Sequence, residues 1–199
     1  MKTLILVDIQ NDFIPGGALA VNEGDQVVAV ANRLMPEFDL VVATQDWHPA
    51  NHGSFASQHT DIDVGDSFSL NGINQIAWPD HCVQGTQGAE FVSGLNMNEV
   101  DHVVQKGTNC QIDSYSGFFD NNHQTATGLA DLLQKHGTAE VAVMGLATDY
   151  CVKFTALDSA ALGFKTKLIL DGCRGVEMHP GDIAAAVEQM RAAGVHIVA

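Results

Sequence analysis

The sequence is poor in basic residues. Of its 199 residues, 9 are lysine or arginine and 24 are aspartate or glutamate, which gives a net charge of −15. A surface of this charge repels the phosphates of nucleic acids and of anionic membranes, so we expect neither as a partner. The chain also lacks any apolar run near the roughly 20 residues that cross a bilayer, and residues 1–8 lack the features of a signal peptide.

Cysteine is scarce as well. The four cysteines are far apart in the sequence and form no CxxC pair: Cys82, Cys110, Cys151 and Cys173. In a chain of this length they do not indicate a disulfide framework, and we expect a reducing, cytoplasmic setting.

The apolar residues, 46% of the chain, are arranged as alternating strands and helices. Short runs rich in Val, Ile and Leu predict six strands buried on both faces, at residues 4–7, 40–43, 102–104, 141–144, 167–170 and 195–198. Helical periodicity predicts helices at residues 25–37, 124–136, 148–162 and 182–193, and the last three are each followed by a glycine. The pattern predicts a three-layer α/β fold with a six-stranded, mostly parallel sheet, in one domain over residues 1–199.

A region without strong periodicity, from about residue 46 to 99, interrupts this alternation. It is rich in Gly, Asn, Ser, His and Asp. Long irregular stretches inside compact domains are uncommon and are often functional.

Three reactive side chains follow different predicted strands. Asp8 follows the first strand, Lys106 the third and Cys151 the fourth. Alone, Asp8 is equally a turn or helix-capping residue, Lys106 a surface charge and Cys151 a small buried apolar residue. Because ligands bind at the carboxyl ends of parallel strands, the three together favour a common site.

Cys151 is predicted at the start of a helix. The helix dipole and nearby backbone amides are expected to lower the pKa of its thiol and to hold an oxyanion. Asp8 could accept the thiol proton, and Lys106 could orient that carboxylate.

A second group of residues is typical of a metal site. Asp46 and His48 are two residues apart, and His81 lies in the irregular region. One carboxylate with two imidazoles suits Zn²⁺, Fe²⁺ or Mn²⁺. Alternatively, His48 and His81 are loop histidines bonded to backbone or water. We expect His52 and His59 to face solvent.

Five motifs occur in a fixed order. They are LILVDIQNDF at residues 4–13, TQDWHP at 44–49, WPDHCVQGT at 78–86, KG at 106–107 and GLATDYCV at 145–152. Together they resemble the nicotinamidases of the isochorismatase-like hydrolase superfamily. That resemblance implies hydrolysis of nicotinamide to nicotinate and ammonia, a step in NAD salvage.

The resemblance also implies roles for single residues. It makes Cys151 the nucleophile, Asp8 the general base and acid, and Lys106 the third member of a triad. The oxyanion would be held by the amides of Ala147 and Cys151, with a cis peptide bond between Leu146 and Ala147.

The same resemblance implies a metal and a substrate pocket. The residues at metal-binding positions are Asp46, His48 and His81, with zinc preferred to iron or manganese. Phe13 and Trp78 would flank the pyridine ring and Tyr115 would close the pocket.

The chain departs from some members of the family after the DWH segment, where those members carry another histidine ligand. Ser54, directly or through water, is the preferred replacement and His52 is the rival.

Two other functions remain open. The first is an amidase of this superfamily that acts on a carbamoyl or ureido compound. The second is a non-catalytic metal-binding protein on the same fold. Cys151 argues against the isochorismatase branch, which lacks the nucleophile. The sequence also leaves open whether the chain forms a homo-oligomer.

Overall fold

A six-stranded parallel sheet organises the chain, which the computed structural model describes over all residues, Met1–Ala199. The strands, in chain order, are β1 Lys2–Val7, β2 Leu40–Asp46, β3 Ser67–Leu70, β4 Ile73–Ile76, β5 His102–Lys106, β6 Glu140–Leu146, β7 Lys165–Arg174 and β8 His196–Val198. The order across the large sheet is β5-β2-β1-β6-β7-β8, and every neighbouring pair is parallel.

The central strands are buried on both faces, as predicted. All residues of β2 are buried, and so are all but the first of β1 and of β6. The prediction is wrong for β5 and β8, which form the sheet edges and are partly exposed; Val103 of β5 is 45% exposed. It holds only in part for the interior strand β7, where Leu168 is buried but its neighbours in the predicted run 167–170 are partly exposed.

Four helices accompany the sheet: α1 Gln26–Leu34, α2 Leu129–Lys135, α3 Lys153–Ala161 and α4 Asp182–Ala192. Both α1 and α3 pack against β6 and β7, and α4 packs against α3. The predicted three-layer α/β fold is thus confirmed. None of these helices has the length and apolar character needed to cross a membrane.

Two helix starts differ from the sequence prediction. The helix expected from residue 124 begins only at Leu129, because the Asp120 carboxylate accepts backbone hydrogen bonds from residues 122, 124 and 125 and holds that segment as a loop. The helix expected from residue 148 begins with a π-helical turn, Thr148–Val152, which the Val152 amide closes by donating to the Ala147 carbonyl at 3.1 Å.

The irregular region contains a hairpin that the sequence analysis missed. Strands β3 and β4 pair antiparallel around Asn71 and Gly72, both with positive φ. An Asn-Gly pair with this conformation is typical of a two-residue hairpin turn. The hairpin brings Gln75 of β4 into the interior, where it is 2% exposed.

The chain reverses its direction of travel across the sheet between β1 and β6. From β1 it proceeds to β2 and β5, whereas β6 leads to β7 and β8. The carboxyl ends of strands at such a switch point form a crevice where ligands bind in open α/β sheets.

Candidate active site

The three predicted reactive side chains meet at this crevice. Asp8 follows β1, Lys106 ends β5, and Cys151 lies in the π-helical turn after β6. Lys106 Nζ is 2.9 Å from Asp8 Oδ2 and 3.3 Å from Cys151 Sγ. A carboxylate oxygen of Asp8 lies within 4.8 Å of Cys151 Sγ. The side chains therefore form one buried contact group.

Asp8 is held in place by the neighbouring strand. Its backbone has a φ of 49°, a left-handed conformation that aspartate tolerates better than most residues. The Thr44 hydroxyl of β2 donates to Asp8 Oδ1 at 2.6 Å and accepts from the Asp8 amide at 3.2 Å. Oδ2 of Asp8 is thereby left facing Lys106.

The charged form of Lys106 is favoured in spite of its burial. Burial by itself lowers the pKa of Lys106, but the carboxylates of Asp46 and Asp8 outweigh it and raise that pKa well above its usual value. For Asp8, burial is the largest cause and raises the pKa of the carboxyl group, although Lys106 opposes it. A carboxyl group with a raised pKa is a better proton acceptor than an ordinary aspartate.

The expected activation of Cys151 by the helix start is wrong for the resting site. Burial raises the pKa of the Cys151 thiol well above its usual value, and this outweighs the lowering by Lys106. The carboxylates of Asp8 and Asp46 raise it further. The thiol is therefore protonated at rest and needs a base to become a nucleophile.

Asp46, predicted as a metal ligand, also contacts the group of Asp8, Lys106 and Cys151. It is paired with Lys106 across β2 and β5, and its Oδ1 accepts from Lys106 Nζ at 2.5 Å. Its Oδ2 lies 3.5 Å from His48 Nε2 and 3.8 Å from His81 Nε2. Burial raises the pKa of Asp46, but Lys106 and His48 outweigh burial and hold it well below its usual range.

The two histidines are prepared to bind a metal ion. His48 Nδ1 lies 2.8 Å from the Gly107 carbonyl and His81 Nδ1 lies 2.8 Å from the Pro79 carbonyl. A carbonyl only accepts, so each Nδ1 carries a proton, and in the neutral imidazole each Nε2 then presents a lone pair, as in most histidine ligands. His48 Nε2 is buried without a hydrogen-bond partner. These donors fit a divalent ion together with Asp46.

Gly107 is required for the position of His48. Its φ is +65°, and a Cβ atom there would lie 2.3 Å from His48 Cε1. Only a glycine lets the backbone pass this close to the imidazole, which accounts for glycine directly after Lys106.

His52 and Ser54, the two candidates for a fourth ligand, are bonded to each other. The Ser54 hydroxyl lies 2.7 Å from His52 Nδ1, and the Ser54 amide donates to the same nitrogen at 3.3 Å. Both side chains are fully buried, so the expectation that His52 faces solvent is wrong. His59 is half-buried and lies 2.8 Å from the Gly53 carbonyl through Nε2.

A cavity beside Cys151 contains the residues expected in the substrate pocket. Its lining residues are Phe13, Leu19, Asp46, Trp78, His81, Asp113, Tyr115, Ala147, Tyr150, Cys151 and Val176. Phe13, Trp78, Tyr115 and the two expected oxyanion residues are all present. The expected cis peptide bond between Leu146 and Ala147 is confirmed.

Aromatic rings form one wall of this cavity. Trp78 packs edge-on against Tyr150 at 4.9 Å and against Tyr115 at 6.5 Å between ring centroids. Phe13 lies 5.5 Å from the His81 ring on another side. The space between them suits a flat aromatic ligand.

The sequence analysis missed several residues of the site. Gln10 is fully buried and brackets the backbone of Asp46, donating to its carbonyl and accepting from its amide, each at 2.8 Å. Asp113 lines the cavity, and its carboxylate lies within 4.8 Å of ring nitrogens of His48 and His52. Gln10 lies within the first of the five motifs, and this is the only sequence feature that could have identified it as part of the site. No sequence feature pointed to Asp113.

The comparisons with known proteins agree with this geometry. A family model described as the isochorismatase domain matches residues 2–199. The nicotinamidase of Escherichia coli (strain K12) is 53% identical over an alignment of 197 positions, which covers 97% of this chain and 92% of that protein.

Two solved structures have the same architecture. The Acinetobacter baumanii nicotinamidase superposes with a TM-score of 0.96 at 43% identity, covering 99% of this chain and 95% of that chain. The pyrazinamidase of Pyrococcus horikoshii in complex with zinc has a TM-score of 0.80 at 39% identity, covering 99% of this chain and 98% of that chain.

Proposed function

The chain belongs to the isochorismatase family, and on that basis we propose that it is a nicotinamidase, which hydrolyses nicotinamide to nicotinate and ammonia in NAD salvage. The observation that carries this proposal is the contact of Cys151, Lys106 and Asp8 beside an aromatic-walled cavity. The three side chains supply a nucleophile, a cation and a base for acyl transfer.

The chemistry begins with a proton transfer. Asp8 accepts the proton of the Cys151 thiol, and the Lys106 ammonium stabilises the thiolate that forms 3.3 Å away. The thiolate attacks the carboxamide carbon, and the carbonyl oxygen takes up the negative charge. We assign the stabilisation of that charge to the backbone amides of Ala147 and Cys151, both of which line the cavity.

The intermediate then breaks down in two further steps. Asp8 returns its proton to the amide nitrogen, so ammonia leaves and a thioester with Cys151 remains. Asp8 next takes a proton from a water molecule that attacks the thioester. Nicotinate is released, and the proton on Asp8 restores the Cys151 thiol.

We further propose that Asp46, His48 and His81 hold one divalent metal ion. Zinc is the first choice, with iron or manganese open, and the zinc complex of the Pyrococcus horikoshii pyrazinamidase supports it. When bound, the ion would supply a Lewis acid that binds the pyridine nitrogen and orients the ring. Phe13, Trp78 and Tyr115 would enclose that ring. The four free cysteines suit a cytoplasmic setting.

The test is an assay of the purified protein with nicotinamide. We expect stoichiometric release of ammonia and nicotinate, loss of this activity with a chelator, and recovery with a divalent metal. Hydrolysis of a carbamoyl or ureido compound in preference to nicotinamide would refute the proposed substrate. A protein that binds metal but hydrolyses none of these compounds would refute the enzymatic function.

A further inference from the structure

The hydroxyl group of Tyr115 receives two hydrogen bonds in the cavity wall. Gln75 Nε2, from the β3–β4 hairpin, lies 2.9 Å from Tyr115 Oη. Trp78 Nε1 lies 3.1 Å from the same oxygen. The indole nitrogen only donates, so Tyr115 Oη accepts from Trp78.

The orientation of the Gln75 amide is fixed by its other neighbours. Its Nε2 also faces Asp113 Oδ2 at 3.1 Å and the Ile76 carbonyl at 2.9 Å. Exchanging the amide oxygen and nitrogen would place an oxygen against both of these acceptors, which disfavours the exchange. The two N–H groups of Gln75 are shared among three acceptors, the Ile76 carbonyl, Asp113 Oδ2 and Tyr115 Oη, and an amide nitrogen does not accept, so Gln75 offers Tyr115 no acceptor.

The Tyr115 hydroxyl consequently has a proton without a partner. It donates no hydrogen bond within the chain, and Tyr115 is one of the residues that line the cavity beside Cys151. Burial, with the Asp113 carboxylate, raises the pKa of Tyr115 well above its usual value, so the proton is retained. A hydroxyl with its acceptor capacity filled can still donate to a ligand in the cavity.

We propose that Tyr115 is a hydrogen-bond donor to the substrate. Gln75 is the positioning residue that makes the Tyr115 hydroxyl a donor toward the cavity, because it offers that hydroxyl no acceptor. This proposal rests on the proposed function. The carbonyl oxygen of a pyridine carboxamide and the carboxylate of the product can each accept a further hydrogen bond besides those assigned to the amides of Ala147 and Cys151. The hydroxyl of Tyr115 therefore donates to one of these oxygens.

The experiment is a double-mutant cycle of Tyr115→Phe and Gln75→Met. A single hydrogen bond corresponds to a loss of about threefold to tenfold, so we expect Tyr115→Phe to lower kcat/KM for nicotinamide by that factor. The inhibition constant of nicotinate should rise by a similar factor. Gln75→Met should lower kcat/KM in the wild-type background but have little further effect in the Tyr115→Phe background.

Several outcomes would overturn the proposal. One is an unchanged kcat/KM and nicotinate inhibition constant in Tyr115→Phe, which decides the case even if Gln75→Met fails to fold. Another is an equal effect of Gln75→Met in both backgrounds, which would make Gln75 merely structural. The exposed Gln134→Met is the matched control and should match the wild type. Absence of nicotinamide hydrolysis in the wild type would instead refute the proposed function, together with the acceptor named here.

Discussion

Replacing Lys106 with methionine removes the only positive charge between two buried carboxylates. Lys106 is 2% exposed and contacts Asp8 Oδ2 and Asp46 Oδ1, whose side chains are 0% and 5% exposed. Removing one partner of a buried ion pair costs about 3–5 kcal/mol, because the remaining charge has neither water nor a partner. For a chain of this size the loss corresponds to a decrease in Tm of about 6–20 °C.

The assay is urea denaturation of Lys106→Met and wild type, both treated with a chelator, at pH 7 and pH 5. Without Lys106 the pKa of each carboxyl group rises, so the folded variant binds protons that the unfolded chain has released. Stability of the variant therefore falls as pH increases toward the raised folded pKa values, and its deficit relative to wild type should be smaller at pH 5.

Lys135→Met, an exposed lysine in the last turn of α2, is the control and should change stability by less than about 1 kcal/mol. A Lys106→Met deficit below about 1 kcal/mol, or one that grows at pH 5, would refute the electrostatic description of the site.

Three further changes test the proposed nucleophile, a proposed metal ligand and the packing around Asp12. Cys151→Ala should abolish ammonia release, by about a thousandfold or more, while metal content by atomic absorption stays unchanged; residual turnover near the wild-type rate would remove Cys151 as the nucleophile. His48→Ala should weaken metal binding, measured by a competition titration. Loss of a residue that only supports a ligand lowers metal affinity by about 10- to 100-fold, and we expect a larger loss here; an unchanged affinity would exclude His48 as a ligand. Gly88→Ala should lower the free energy of unfolding by about 1–3 kcal/mol, because its Cβ would lie 2.1 Å from the Asp12 carboxylate, whereas the control Gly94→Ala meets nothing nearer than 3.5 Å. Equal stability of these two glycine variants in urea would contradict the packing around Asp12.

The sequence predicts the large sheet well because its strands are continuous apolar runs. Placing Asp8, Lys106 and Cys151 at strand ends was enough to predict that they meet, since parallel strands end at one edge. The hairpin was missed because its strands have four residues each and are only partly buried, so that Asn71 and Gly72 were its one clear signal.

Properties that depend on distant neighbours could not be read from local sequence. The thiol of Cys151 was expected to be acidified by a helix start, but burial, together with Asp8 and Asp46, raises its pKa. Gln10 and Gln75 are ordinary amides in the sequence. Their roles arise from backbone and side-chain groups as far as 79 positions away, which no spacing rule describes.

Lys106 ends a strand that has a neighbour on one side only. Asp8 and Cys151 follow β1 and β6, which lie inside the sheet, whereas β5 is bonded to β2 alone. Local opening is most favourable where a segment has few buried contacts, and β5 is paired on one side and partly exposed. Heat inactivation of this protein should therefore begin with detachment of β5, so that warm samples lose turnover while their circular dichroism is still that of the native chain.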